Sequence, residues 1–212
     1  MFGDFHFENK RVLDVGGGSG LLSFYSCLKG AHALCLEPEL AGSSSNSLRN
    51  FQHLQKRFPE TNGKVEHESK SFQEFESEKK FDLILLANSI NHLDEIATID
   101  LLKSKKSRRI YNEFFIKIYG LLNDGGGLII TDCNRYNFFN LIKLKSPLMP
   151  TIEWHKHQSP YTWSKLITEV GFKRSALNWT TPNGLGFAGK ILLSNPLVAY
   201  FLLSHFRVEF VK

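Results

Sequence analysis

In the stretch LDVGGGSG, residues 13–20, four of the five positions from 16 to 20 are glycine, and the carboxylate of Asp14 stands just ahead of them. Glycine loses more backbone freedom on ordering than any other residue, so such a cluster marks a place where the chain must turn tightly or approach another group without a Cβ in the way. A second carboxylate, Glu37 in LCLEPE, ends the next apolar run. Farther on, His92, His155 and His157 are the candidates for proton transfer, because neutral imidazole is within reach at pH 7. Together these are a glycine loop for close backbone approach, two carboxylates at the ends of apolar runs and candidate acid–base groups.

The elements that must position them alternate. Arg11–Val15 is a short apolar run ending at the glycines, and Leu21–Leu28 reads as a helix stopped by Gly30. His32–Glu37 is a second strand and Ser45–Phe58 a second helix, ended by Pro59. Lys64–His67 reads as a short third strand, and Phe81–Ala87 as a strand buried on both faces. A long helical region is expected from Leu93 to Leu122, then a strand at Gly125–Asp132. Ser159 and Pro160 open a helix to Val170, and Phe172–Trp179 and Phe206–Val211 close as strands. Strands alternating with helices predict an α/β domain around a mostly parallel sheet.

In an open sheet of this kind the first strand–helix turn is the usual seat of a nucleotide-like ligand, and the spacing selects among them. A dinucleotide loop wants G-x-G-x-x-G, but Leu21 stands where its last small residue belongs. A phosphate loop wants G-K-[ST] after its spacer, and no lysine follows. What fits is D-x-G-x-G-x-G, with Asp14, Gly16, Gly18 and Gly20.

Asp14–Gly20 resembles the first motif of class I S-adenosylmethionine-dependent methyltransferases. Glu37 matches the acid that in this family takes the ribose hydroxyls, with Pro38 beside it. Ser71-Phe72 stands where the family has an acid followed by an apolar residue beside adenine, so Ser71 departs from the pattern while Phe72 keeps it. The segment FDLILLANSINHL, with Asn88 and His92, is similar to the family's fourth strand and following turn, and LLNDGGGLIITD to its fifth. The resemblance covers residues 10–135 in order. It implies a Rossmann-like, mostly parallel seven-stranded sheet with helices on both faces and the last strand antiparallel, in a single domain over residues 1–212. It implies S-adenosyl-L-methionine as cofactor, with Asp14, Gly16, Gly17, Gly18, Gly20, Glu37, Pro38, Ser71, Phe72 and Asn88 around it. Asp14 stays open between a cofactor contact and an anchor for the loop, and Asn88 between lining the methionine end and a simple turn role.

The acceptor is legible mainly by exclusion. The [DN]-P-P-[YFW] motif of base-amino methyltransferases is replaced by Asn88-Ser-Ile-Asn, and no nucleic-acid module follows, so a small-molecule acceptor methylated at O or N is expected and no nucleic acid. The segment 136–160, rich in aromatics, Pro and His, is the expected acceptor site. His155-x-His157 lacks a third ligand, so no metal is expected, and His92, His155 and His157 stand either as proton acceptors or as loop histidines. Residues 180–205 form an apolar insertion that is read either as core packing or a homodimer interface, or as a contact with a lipid-like acceptor or membrane surface, the less favoured choice. The alternatives to this reading are a methyltransferase of a hydrophobic quinone- or lipid-type acceptor, or a non-catalytic protein that binds the cofactor. Phe2, Phe5 and Phe7 suggest a short apolar flap.

The bulk properties agree with a globular enzyme. The chain has 212 residues, 42% of them hydrophobic, and a net charge of +5 with the signs mixed along it, which does not demand a polyanionic partner. The run KSKKSRR at 103–109 reads as a solvated helix face or loop in preference to a phosphate-binding patch. Three scattered cysteines without metal spacing, no signal-peptide pattern and no spanning apolar run point to reduced thiols in a cytoplasmic protein.

Overall fold

The computed structural model describes residues 2, 5–38, 46–180 and 194–212. Seven strands form one sheet in the order β3-β2-β1-β4-β5-β7-β6. They are β1 (Arg11–Val15), β2 (His32–Leu36), β3 (Val65–Glu68), β4 (Phe81–Ala87), β5 (Leu122–Cys133), β6 (Lys173–Trp179) and β7 (His205–Val211). β1 pairs in parallel with β2, with Leu13 opposite Leu34, and with β4, where Leu13 meets Ile84; β2 pairs in parallel with β3. β7 runs the other way. Lys212 N donates to Gly126 O at the start of β5, and Asn134 N donates to Ser204 O at the other end, the pattern of an antiparallel neighbour. Thr180, just past β6, likewise pairs with His205 at the start of β7.

The helices are α1 (Leu21–Leu28), α2 (Ser47–Arg57), α3 (Glu95–Asp100), α4 (Lys105–Leu121), α5 (Phe138–Leu141), α6 (Pro160–Glu169) and α7 (Pro196–Phe201). The described residues fall into two compact units, one of residues 1–89, 117–129 and 211–212, the other of 90–116 and 130–210.

In the first unit β1 and β4 are apolar on both faces, with Val12, Leu13, Ile84 and Leu85 fully buried. α1 packs Phe24 against Phe51 of α2, ring centroids 4.9 Å apart, and both are buried. A fully buried Phe contributes roughly 1.5–3 kcal/mol over an exposed one, so this pair fastens both helices to the sheet. Phe2 and Phe7 join the same cluster instead of forming a flap: Phe2 stacks on Tyr25 at 5.2 Å and meets Phe7 edge-on at 5.0 Å.

In the second unit the long helix expected from Leu93 to Leu122 is two helices. Asp94 caps α3 by accepting from Ala97 N at 2.8 Å, and Ser104 Oγ accepts from Ser107 N at 3.2 Å to start α4 afresh. Tyr111 of α4 fills the angle between them, donating to Ile90 O at 2.8 Å and lying 4.9 Å from the ring of Trp163 in α6. Ser159 caps α6 through Thr162 N, with Pro160 in its first turn, as the sequence predicts. Of the apolar insertion, residues 181–193 lie outside the described residues. Its later part folds as α7, capped by Asn195 through Val198 N at 2.9 Å. The cysteines Cys27, Cys35 and Cys133 are free and buried, and burial pushes the thiols of Cys27 and Cys133 up to about 11 and about 12.

Candidate active site

The strand order places β2 and β3 on one side of β1 and β4 on the other, so the chain reverses its direction of travel between β1 and β4. Ligands of open α/β sheets bind beyond the carboxyl ends of the strands at such a point. The glycine loop leaves β1 there. Gly16, Gly18 and Gly20 have φ of +67°, +55° and +77°, which side chains rarely tolerate. Gly16 is also fixed sterically, because a Cβ on it would lie 2.5 Å from Ser89 Cβ in the turn after β4. Ser89 Oγ in turn donates to Val15 O at 2.6 Å, so the two strand ends are tied together. Beneath the loop a Cβ on Gly17 would meet Cys35 Sγ at 2.7 Å and Asp14 Oδ2 at 2.8 Å.

Glu37, directly after β2, is buried and reaches the loop: its Oε2 accepts from Gly18 N at 2.9 Å. Asp14 is fully buried, and its Oδ2 accepts from Ser23 Oγ at 2.9 Å in the first turn of α1, whose N-cap Gly20 has no side chain to offer. It therefore sits under the loop as a helix-capping anchor. Burial pushes the Asp14 carboxyl up to about 6, the hydrogen bonds from Ser23 pull it down, and the charge of Glu37 adds to the rise. Asp14 Oδ1 is a buried oxygen without a hydrogen-bond partner.

The remaining predicted cofactor residues are more varied. Asn88 is exposed with φ of +55° at the end of β4, and Pro38 is half-buried after Glu37. Ser71 Oγ is engaged with Glu74 Oε2 at 2.6 Å in a local turn. Phe72 is buried, with the Lys117 ammonium 5.3 Å from its ring centroid. The structure thus brings the glycine loop, Glu37 and the β4 turn together, while Ser71 is spent on its own turn and Phe72 is packed inward.

The histidines belong to the second unit and divide into two settings. His92 is exposed, its Nδ1 2.7 Å from Glu95 Oε1. Lys156 joins the same carboxylate at 3.1 Å and Glu153 at 2.8 Å, and with His92 it holds the Glu95 carboxyl below its usual range. His155 lines a shallow pocket with Lys143, Lys145, Met149 and Glu153. His157 points elsewhere: its Nδ1 lies 2.8 Å from Oδ1 of Asp132, at the carboxyl end of β5. Asp132 is fully buried, its Oδ1 also accepts from Cys133 N at 2.7 Å, and its Oδ2 has no partner. His205 lies in the same neighbourhood, with its pKa lowered by burial against the pull of Asp132. Sequence reasoning missed Asp132, Ser89 and Ser23. The signal for the first was present, since a carboxylate closing an apolar strand marks the ligand edge of a sheet.

A family model described as a methyltransferase domain matches residues 1–176. No curated protein sequence matches the chain. Among solved structures, an S-adenosylmethionine-dependent methyltransferase from Mesorhizobium loti aligns with a TM-score of 0.65 at 13% identity, over 98% of this chain and 93% of its own. The Burkholderia thailandensis 1,6-didemethyltoxoflavin-N1-methyltransferase aligns at 0.60 and 14% identity, over 97% of this chain and 72% of its own. The Synechocystis magnesium protoporphyrin IX methyltransferase aligns at 0.61 and 12%, over 97% and 75%. With the strand order and the glycine loop, the match over most of its length places the chain in the methyltransferase-domain family, as a class I S-adenosylmethionine-dependent methyltransferase.

Proposed function

We propose that the chain transfers the methyl group of S-adenosyl-L-methionine to an oxygen or nitrogen atom of a small-molecule acceptor. The observation that carries this reading is the Gly18–Glu37 hydrogen bond, which holds a buried carboxylate against the glycine loop beyond the carboxyl ends of β1 and β2. The donor set fits the cofactor: a carboxylate for the ribose hydroxyls, a loop whose left-handed glycines permit close approach, and Asn88 at the end of β4 for the methionine end. The cofactor supplies the electrophilic methyl and its leaving group, so the protein has to orient the acceptor and take up its proton. In this reading Gly17 seats the loop on Cys35, Asp14 holds it from below, and Pro38 borders the nucleoside.

His157 is the favoured proton acceptor over His92 and His155. With Nδ1–H donated to Asp132, its Nε2 keeps a lone pair for an acceptor hydroxyl or ammonium. A buried carboxylate behind an imidazole also speaks for a catalyst over a protein that only binds the cofactor. The acceptors named for the Burkholderia and Synechocystis enzymes, a didemethyltoxoflavin and a magnesium protoporphyrin, support the small-molecule class.

Isothermal titration with S-adenosylmethionine, S-adenosylhomocysteine and NAD tests the reading. Micromolar affinity for the first two and none for NAD is the expected result. Absence of binding by either would overturn it.

A further inference from the structure

Seven of the fifteen large apolar side chains that are exposed among the described residues fall within 136–148 and 196–201. These segments are adjacent. The rings of Phe138 in α5 and Phe201 in α7 are 5.2 Å apart. Asn137 Nδ2 donates to Leu202 O at 3.2 Å and to Ser204 Oγ at 2.8 Å, which locks the base of one helix to the end of the other. On the outside stand Leu141, Ile142, Leu144, Leu148, Leu197 and Phe201, with Leu141 71% and Leu197 69% exposed. A cluster of this kind is far denser than the scattered apolar residues of an ordinary surface.

Charge selects what covers it. From Cys133 to Ile152, and again from Ser194 to Ser204, the sequence holds no Asp or Glu. Lys143 and Lys145 are exposed and interleave with Ile142 and Leu144 just past α5. The pocket beside this turn is lined by Lys143, Lys145 and His155, and its one acid, Glu153, is paired with Lys156 at 2.8 Å. No helix among the described residues is long and apolar enough to cross a membrane.

We propose that the α5–α7 surface docks on an anionic phospholipid bilayer, with its leucines in the interface and Lys143 and Lys145 among the headgroups. Resting on the methyltransferase reading, this makes the acceptor an amphiphile that resides at such a surface.

The test is co-sedimentation of the full chain with vesicles of phosphatidylcholine alone and with about one third phosphatidylglycerol, at low and high salt. Partitioning is expected to be at least about tenfold stronger on the anionic vesicles and to weaken with salt. The double variant Leu141→Glu, Leu197→Glu should lose binding to both vesicles, and Lys143→Glu, Lys145→Glu the anionic preference. Titration with S-adenosylhomocysteine reports folding of each variant and tests the methyltransferase reading separately. Vesicle binding without S-adenosylhomocysteine binding would sink that reading and keep the docking surface. No vesicle binding by a chain that binds S-adenosylhomocysteine overturns the docking, as does equal binding by the leucine variant. A dimer in sedimentation velocity that the leucine variant dissolves, without vesicle binding, would assign the surface to a second copy instead.

Discussion

Gly18 N lies 2.9 Å from Glu37 Oε2, so the loop after β1 and the acid after β2 are held by one direct bond across 19 residues. Glu37 fixes the loop, and in the proposed reading the same carboxylate also receives the ribose. Glu37→Ala should weaken S-adenosylmethionine binding by about 1.5–3 kcal/mol, the range for hydrogen bonds to a charged group. Calorimetry checks this, and unchanged affinity would remove Glu37 from the site.

The contact between Gly16 and Ser89 is steric and can be measured as a pair. Gly16→Ala places a methyl 2.5 Å from Ser89 Cβ and adds a left-handed strain of about 1–2 kcal/mol. In Gly16→Ala, Ser89→Gly the clash is relieved, so the double variant should be less destabilised in urea than the sum of the singles. Strict additivity would show that the two turns do not touch in solution.

Asp14 makes stability depend on pH. Its carboxyl is raised from 3.8 to about 6 in the folded protein. Its contribution is fully present below pH 4 and is lost as pH rises through about 6, because the unfolded chain ionises first. The shift corresponds to roughly 3 kcal/mol, at about 1.4 kcal/mol per unit. Denaturation midpoints of wild type and Asp14→Asn between pH 4 and 7 should therefore diverge, the wild type losing ground relative to the variant up to pH 6. Parallel curves would contradict the burial of an ionisable group there.

Nitrogen–proton correlation spectra of the histidines should find His157 with its proton on Nδ1 at mildly alkaline pH. Asp132→Asn should keep that tautomer, because Cys133 N also points at Oδ1 and forces the amide oxygen toward both donors. An Nε2 proton in the wild type would mean that Asp132 does not orient this ring.

Much of this was legible in the sequence where local chemistry dominates. Arg11–Val15, Leu21–Leu28 and Phe81–Ala87 coincide with β1, α1 and β4, because continuous apolar runs bounded by glycine or a turn leave little choice. The break between α3 and α4 was hidden, since Ser104 is an ordinary polar residue until its hydroxyl is seen to cap. The role of Phe2 and Phe7 also needed the third dimension, as the face of α1 that receives them is set by the sheet. The histidines show the same divide. Composition proposes imidazoles, but only folding brings Asp132 to His157 over 25 residues.

The placement of β7 between β5 and β6 bears on how the chain is made. β6 leaves the ribosome before the strand that joins it to the rest of the sheet exists, so the sheet cannot be assembled in the order of synthesis. Until residues 205–211 emerge, β5 presents an unpaired edge and β6 has no partner strand, the features that invite pairing with other chains. Nascent chains stalled before β7 thus expose the backbone pairing groups that the finished sheet covers.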